Sequence, residues 1–268
     1  MEQDLGSIAP SKCADIVFLK DLTTFEVTRT IIDGETVALN GKMTKDFAPY
    51  TYPDWALHSV HLKDNVTADT FKIAAPEGKD HVTVRAIEVI PARVGDIERF
   101  VDLTVKDGCL ESDTTQDVLK TFVLERHHET GTKGAGFVMG FGIKRGAMAS
   151  TVAHDAHNLL VVGTNDEDMA LAANTLIQCG GGMVAVQDGK VLGLVELPIA
   201  GLMNDKSAEA MADTVAQLES AWKAIGCDMP SPFMTMALIP LACLPDLRLT
   251  NRGLVDCRTF EFVPLVKD

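Results

Sequence analysis

Apolar and polar positions along the chain switch between a period of two and a period near 3.6, which divides it into strands and helices. Residues 14–19 form a short apolar run that predicts a strand. Thr30-Ile31-Ile32 and Thr36-Val37-Ala38 flank Asp33-Gly34, a dipeptide that suits a two-residue hairpin because both positions tolerate positive φ. Residues 42–58, with Pro49 and Pro53, show no clear period and read as a connecting segment. A second region begins near residue 70. There, residues 81–90 are rich in β-branched side chains, and Leu103-Thr104-Val105 and Cys109-Leu110 surround a further Asp-Gly turn. Residues 158–163, carrying Leu159-Leu160-Val161-Val162, predict a fully buried strand.

The next segment carries helix signals. Thr164 is expected as N-cap with Glu167 three positions on, the capping-box spacing. Asp166, Glu167 and Asp168 place negative charge on the first turn, where the helix dipole favours it. Gly180-Gly181-Gly182 ends that helix, and residues 183–186 and 191–197 predict a hairpin across Asp188-Gly189. A second helix is expected from Ser207, with Met211, Val215, Leu218, Trp222 and Ile225 on one stripe and Gly226 as its stop. Residues 233–244 and 260–266 are expected as further strands. Strands and helices mix without a steady βαβ rhythm, so the fold class expected is α+β.

Composition narrows the partners. Lys+Arg 24 against Asp+Glu 38 gives a formal charge of −14, a field that repels phosphate backbones and anionic lipid, so neither nucleic acid nor a membrane is expected. The longest apolar stretch, residues 236–244, is too short to span a bilayer and is broken by Pro240. The start lacks a basic and apolar leader, and the six cysteines contain no CxxC pair, so a cytoplasmic protein with reduced thiols is expected.

Two polar clusters could carry chemistry. Thr151, His154, Asp155, His157 and Asn158 precede the buried strand, and His154, Asp155 and His157 are the residue types of a transition-metal site. A polar loop whose imidazoles cap backbone groups explains the same residues. The second cluster, Glu125, Arg126, His127 and His128, combines a carboxylate, a cation and two imidazoles that could orient a polar heterocycle; structural salt bridging explains it equally well. On a strand, the two adjacent histidines would point to opposite faces. The glycines of residues 134–142 alternate with apolar residues as in a tightly packed strand, and no Lys-Ser/Thr pair follows, so a phosphate loop is rejected.

Leu5-Gly6-Ser7-Ile8-Ala9-Pro10-Ser11-Lys12-Cys13-Ala14-Asp15-Ile16-Val17 resembles the segment by which amidohydrolase-superfamily chains leave the catalytic barrel and re-enter a small β-sandwich, with Ser11 where Gly is usual. Residues 125–128, 136–142 and 150–158, followed by 162–169, 197–203 and 260–265, resemble the extra C-terminal domain of bacterial adenine deaminases. The likeness runs over nearly the whole chain and is weakest between about residues 40 and 80. It implies a short β-sandwich remnant and connecting segment over residues 1–65, followed by a mixed α/β C-terminal domain over 66–268. It also implies hydrolysis of adenine to hypoxanthine and ammonia at a barrel-bound metal pair of manganese, iron or zinc. The family's His-x-His ligand pair has no match here: the histidine pairs are 58/61, 127/128 and 154/157. The metal and its barrel are therefore expected outside this chain, with none held by it, and the chain is expected to be inactive alone and to pair with a barrel-bearing chain or form a homo-oligomer. The rival readings are a stand-alone purine- or metal-binding module and a non-catalytic oligomerisation domain.

Overall fold

A computed structural model describes residues 3–46 and 48–267, so Met1 and Glu2 of the start read above, Phe47 of the connecting segment and Asp268 lie outside it. The chain forms two compact units, Met1–Thr51 and Tyr52–Asp268. No helix among the described residues is long and apolar enough to cross a membrane.

The first unit is an antiparallel sheet of β1 (Ile16–Leu19), β2 (Val27–Ile32), β3 (Glu35–Leu39) and β4 (Lys42–Met43), paired in sequence order. The expected hairpin forms: Asp33 and Gly34 adopt φ 49° and 78°, the doubly positive geometry whose twist matches the flanking strands. The Asp15 carboxylate accepts the Asp33 N–H at 2.7 Å. Val37 is the unit's only buried side chain among the described residues, and Val17, Phe18, Val27 and Leu39 are exposed.

In the second unit, α1 (Asp54–Leu57) falls within the segment expected to be irregular, and a 3₁₀ turn (Ala68–Phe71) follows beyond it. The strands that follow are β5 (His81–Val89), β6 (Asp96–Lys106), β7 (Cys109–Leu110), β8 (Leu119–Leu124), β9 (Lys133–Met139), β10 (Ala147–Ser150) and β11 (Leu159–Gly163). After α2 (Asp166–Cys179) come β12 (Gly182–Gln187), β13 (Lys190–Glu196), α3 (Ala208–Ala224), α4 (Pro232–Leu238), β14 (Leu247–Thr250), β15 (Gly253–Asp256) and β16 (Glu261–Val263). Nine strands make one sheet in the order β13-β12-β10-β11-β8-β9-β5-β6-β7, parallel only between β5 and β9; β14–β16 form a separate antiparallel sheet. This is the α+β class expected.

The central strands are buried on both faces, which explains their unbroken apolar runs. Leu159 and Val161 of β11 join Met169, Ala173 and Leu176 of α2 in one core; Leu160 and Val162 join Leu218, Trp222 and Met236 of α3 and α4 in the other. The period of two thus feeds two layers from one strand.

Three expectations need correction. The cap of α2 is Asn165, whose side chain accepts the Asp168 N–H at 2.8 Å; Thr164 remains tied to Gly146, the residue before β10, through its hydroxyl, which donates to the Gly146 carbonyl and accepts its N–H. Residues 233–244 begin as helix α4 instead of a strand, because Pro232 at its start is preset for helical φ and a short apolar run carries no decisive period. The α3 stripe is narrower than expected: Leu218, Trp222 and Ile225 are buried, but Val215 is 41% exposed.

Candidate functional site

Strand register brings the two predicted clusters together. Leu124 ends β8 and pairs with Leu159, which begins β11; Ser150 ends β10 and pairs with both Leu160 and Met183. The segments 125–132, 151–158 and 180–182 therefore leave the same end of the sheet, and 197–201 joins them because Glu196 pairs with Gly182.

Arg126 sits at the centre and is 1% exposed. Its guanidinium meets no carboxylate among the described residues. Instead Nε donates to the His157 carbonyl at 2.6 Å, one terminal nitrogen to Ser59 O at 2.7 Å, and the other to Ala200 O at 3.1 Å. Its backbone N–H reaches Asn158 Oδ1 at 3.3 Å, and its carbonyl accepts the His61 N–H. Burial of a cation among neutral dipoles lowers its pKa to about 10. Gly201 lies against the guanidinium, where a side chain would collide with it. Thr151 closes the far side: its hydroxyl donates to Gly201 O at 2.6 Å and accepts the Gly182 N–H at 2.8 Å.

Glu125 organises its own loop. Burial would raise its pKa, but the N–H groups of Thr130, His127 and His128 and the Thr130 hydroxyl all donate to the carboxylate and hold it at about 2. A Glu125→Gln variant is therefore expected to lose about 1–2 kcal/mol at neutral pH, the scale of lost charge-assisted hydrogen bonds. A depressed carboxylate stabilises above its unfolded value and ceases to do so once protonated. The gap between variant and wild type should thus close as pH falls from about 4.5 towards 2, as denaturant midpoints measured across that range will report.

The histidines occupy the rim. His127 and His128 are exposed in a bend after β8, so the alternating strand geometry does not apply, and His127 Nε2 donates to Ala156 O at 2.7 Å. The rings of His154 and His157 meet edge to face at 5.3 Å. His157 Nδ1 accepts the Ala153 N–H at 3.2 Å, and desolvation first, then His154 and Arg126, depress its pKa and favour the neutral ring. Asp155 is exposed. No three His, Cys, Asp or Glu side chains among the described residues converge as a metal ion requires, and one nitrogen of His157 is committed to the backbone. The sequence offered no sign of Ser59, and it marked Ala200 and Gly201 only as part of the 197–203 family match, not for the backbone carbonyl and steric room they contribute.

A family model described as adenine deaminase C-terminal domain matches residues 96–261. The chain belongs to the adenine deaminase family. An adenine deaminase of Clostridium botulinum (strain ATCC 19397 / Type A) is 67% identical over 265 residues, covering 99% of this chain and 44% of the relative. One from Moorella thermoacetica is 53% identical over 264 residues, 98% of this chain and 44% of the relative, and one from Mesorhizobium japonicum 41% identical over 266 residues, 99% and 44%. The chain thus spans less than half the length of these adenine deaminases and matches their C-terminal portion.

Proposed function

We propose that this chain is the C-terminal region of an adenine deaminase that works in the cytoplasm, hydrolysing adenine to hypoxanthine and ammonia in purine salvage or catabolism. The observation that carries the reading is the match of nearly the whole chain, at 67% identity, to 44% of an adenine deaminase. Its polar loop end, with Glu125, Arg126, His127, His128, Thr151, His154, Asp155, His157 and Asn158, faces the part of the enzyme that holds the metal. Arg126 and Glu125 fix the loops; His128, His154 and Asp155 are free to meet the other part. No three His, Cys, Asp or Glu side chains among the described residues converge to hold the metal pair of the family, manganese, iron or zinc, and on this reading that pair is assigned to the remainder of the enzyme. The domain division follows the same reading: residues 1–65 as sandwich and connection, 66–268 as the family's C-terminal domain. The partner is a barrel-bearing portion, with a homo-oligomer as the alternative.

Recombination tests this. The chain incubated with adenine and Mn²⁺ should release no hypoxanthine; adding the barrel portion of a close relative should restore release, and a His154→Ala/Asp155→Ala chain should restore less. Turnover by this chain alone, or by the barrel portion equally well without it, would overturn the reading.

A further inference from the structure

A cleft of about 290 Å³ opens beside the 153–158 loop, between the chain after α4 and the tip of the β14–β15 hairpin. Small-molecule sites commonly enclose about 300–1,000 Å³, so the space suits a single fused ring system better than a nucleotide. Its floor is apolar, formed by Val123, Ala153, Pro240, Ala242 and Val255. Phe262, 55% exposed, supplies an aromatic wall, and the Arg252 guanidinium lies 5.2 Å from that ring's centroid. The Arg252 side chain makes no ion pair or hydrogen bond among the described residues, so its cationic plane is available to a second ring.

The polar groups of the cleft are an incomplete pair. Asn158 is 5% exposed; its Oδ1 accepts the Arg126 N–H, and its Nδ2 makes no hydrogen bond. Asn251 is the converse: its Nδ2 donates to Thr132 Oγ1 at 2.8 Å, and its Oδ1 has no donor. Neither group is sealed in the core: Asn251 is half-buried and both side chains line the open cleft, so the free donor and acceptor are within reach of a ligand that takes the place of water. The cleft therefore presents one free donor, one free acceptor and a stacking wall around an apolar floor.

We propose that this cleft binds a purine base. Adenine offers N6–H to the Asn251 oxygen and a ring nitrogen to the Asn158 amide, the pattern by which an asparagine reads adenine, here divided over two side chains. Hypoxanthine offers the same pair in reverse, N1–H and O6, so both the reactant and the product of the proposed reaction fit. The preference for a purine over other planar heterocycles rests on the adenine deaminase reading; the cleft and its free groups do not. The formal charge of −14 weighs against a phosphorylated ligand.

Titration calorimetry of the 268-residue chain with adenine, without any barrel portion, tests the site. Saturable one-to-one binding is expected, at least tenfold weaker for benzimidazole, which keeps the bicyclic shape but lacks the six-position group. Arg252→Ala and Asn251→Ala should each weaken adenine about tenfold. Ala156→Trp, a change at an exposed rim position, should abolish binding while the far-ultraviolet spectrum and unfolding midpoint stay those of the parent chain. No saturable binding, or binding that survives Ala156→Trp in a folded chain, overturns the proposal. Because the readout is binding, this result is independent of whether recombination yields hypoxanthine: a bound base with no restored turnover sinks the activity and leaves the cleft.

Discussion

Replacing Arg126 with methionine is expected to destabilise the second unit by about 3 kcal/mol, the combined scale of several hydrogen bonds lost from buried partners. The substitution keeps apolar volume but strips the donors from the carbonyls of Ser59, His157 and Ala200, three segments that this guanidinium ties together alongside the Ala200 N–H bond to Ala56 O and the Thr151 hydroxyl. Part of the loss is offset, because the variant no longer buries a cation whose pKa burial has already lowered to about 10. Arg126→Lys should fare nearly as badly: an ammonium cannot spread donors over three carbonyls in the guanidinium plane. Urea midpoints of the second unit give the measurement, and amide exchange at His157 and Ala200 should quicken in step. A loss below about 1 kcal/mol would show that the loops hold one another without Arg126.

The fold was legible where local chemistry and tertiary packing agree. Asp33-Gly34, Asp107-Gly108 and Asp188-Gly189 all turn as read, each with positive φ at both positions. The run at 159–162 is fully buried because both faces of β11 are covered. Legibility failed where two signals were interchangeable. Thr164 and Asn165 are both good caps, and only the bonds from Thr164 to Gly146, just before β10, decide between them. Phe233 and Met236 are core residues in either a strand or a helix, and Pro232 settles it for the helix.

The site was legible by residue type and not by role. Residues 125–128 and 151–158 do converge, because β8, β10 and β11 are neighbours in the sheet. Yet Glu125 and Arg126, which read as salt-bridging or substrate-orienting groups, turn to backbone amides and carbonyls respectively. Sequence spacing shows which side chains can meet; it carries no sign of the main-chain atoms that claim them. For the same reason the cleft near Asn158 had no signature, since Asn251 and Phe262 reach it from segments about a hundred residues further on.

The second large effect is expected at Gly134, and it tests why β9 is glycine-rich. A Cβ there would lie far inside the van der Waals contact distance of the Thr250 carbonyl oxygen, with Thr250 C at 3.1 Å and Leu249 Cδ1 at 3.2 Å. The obstacle is main chain of the β14–β15 hairpin, which cannot rotate away as a side-chain tip can. Gly134→Ala is therefore expected to cost about 3 kcal/mol, the upper range for overpacking. Two positions along, a Cβ on Gly136 meets only Leu249 and Leu254 methyls at 3.5 Å, an ordinary contact. Gly136→Ala should change stability by less than about 1 kcal/mol, since the added methyl fills existing space. Denaturant unfolding of the pair separates close backbone approach from any general intolerance of side chains in the strand. The hairpin that Gly134 admits also carries Thr250, Asn251 and Arg252 to the cleft. Adenine binding should accordingly fall with Gly134→Ala and persist with Gly136→Ala. Equal losses in the two variants would mean that the glycines serve the strand itself and not the hairpin packed against it.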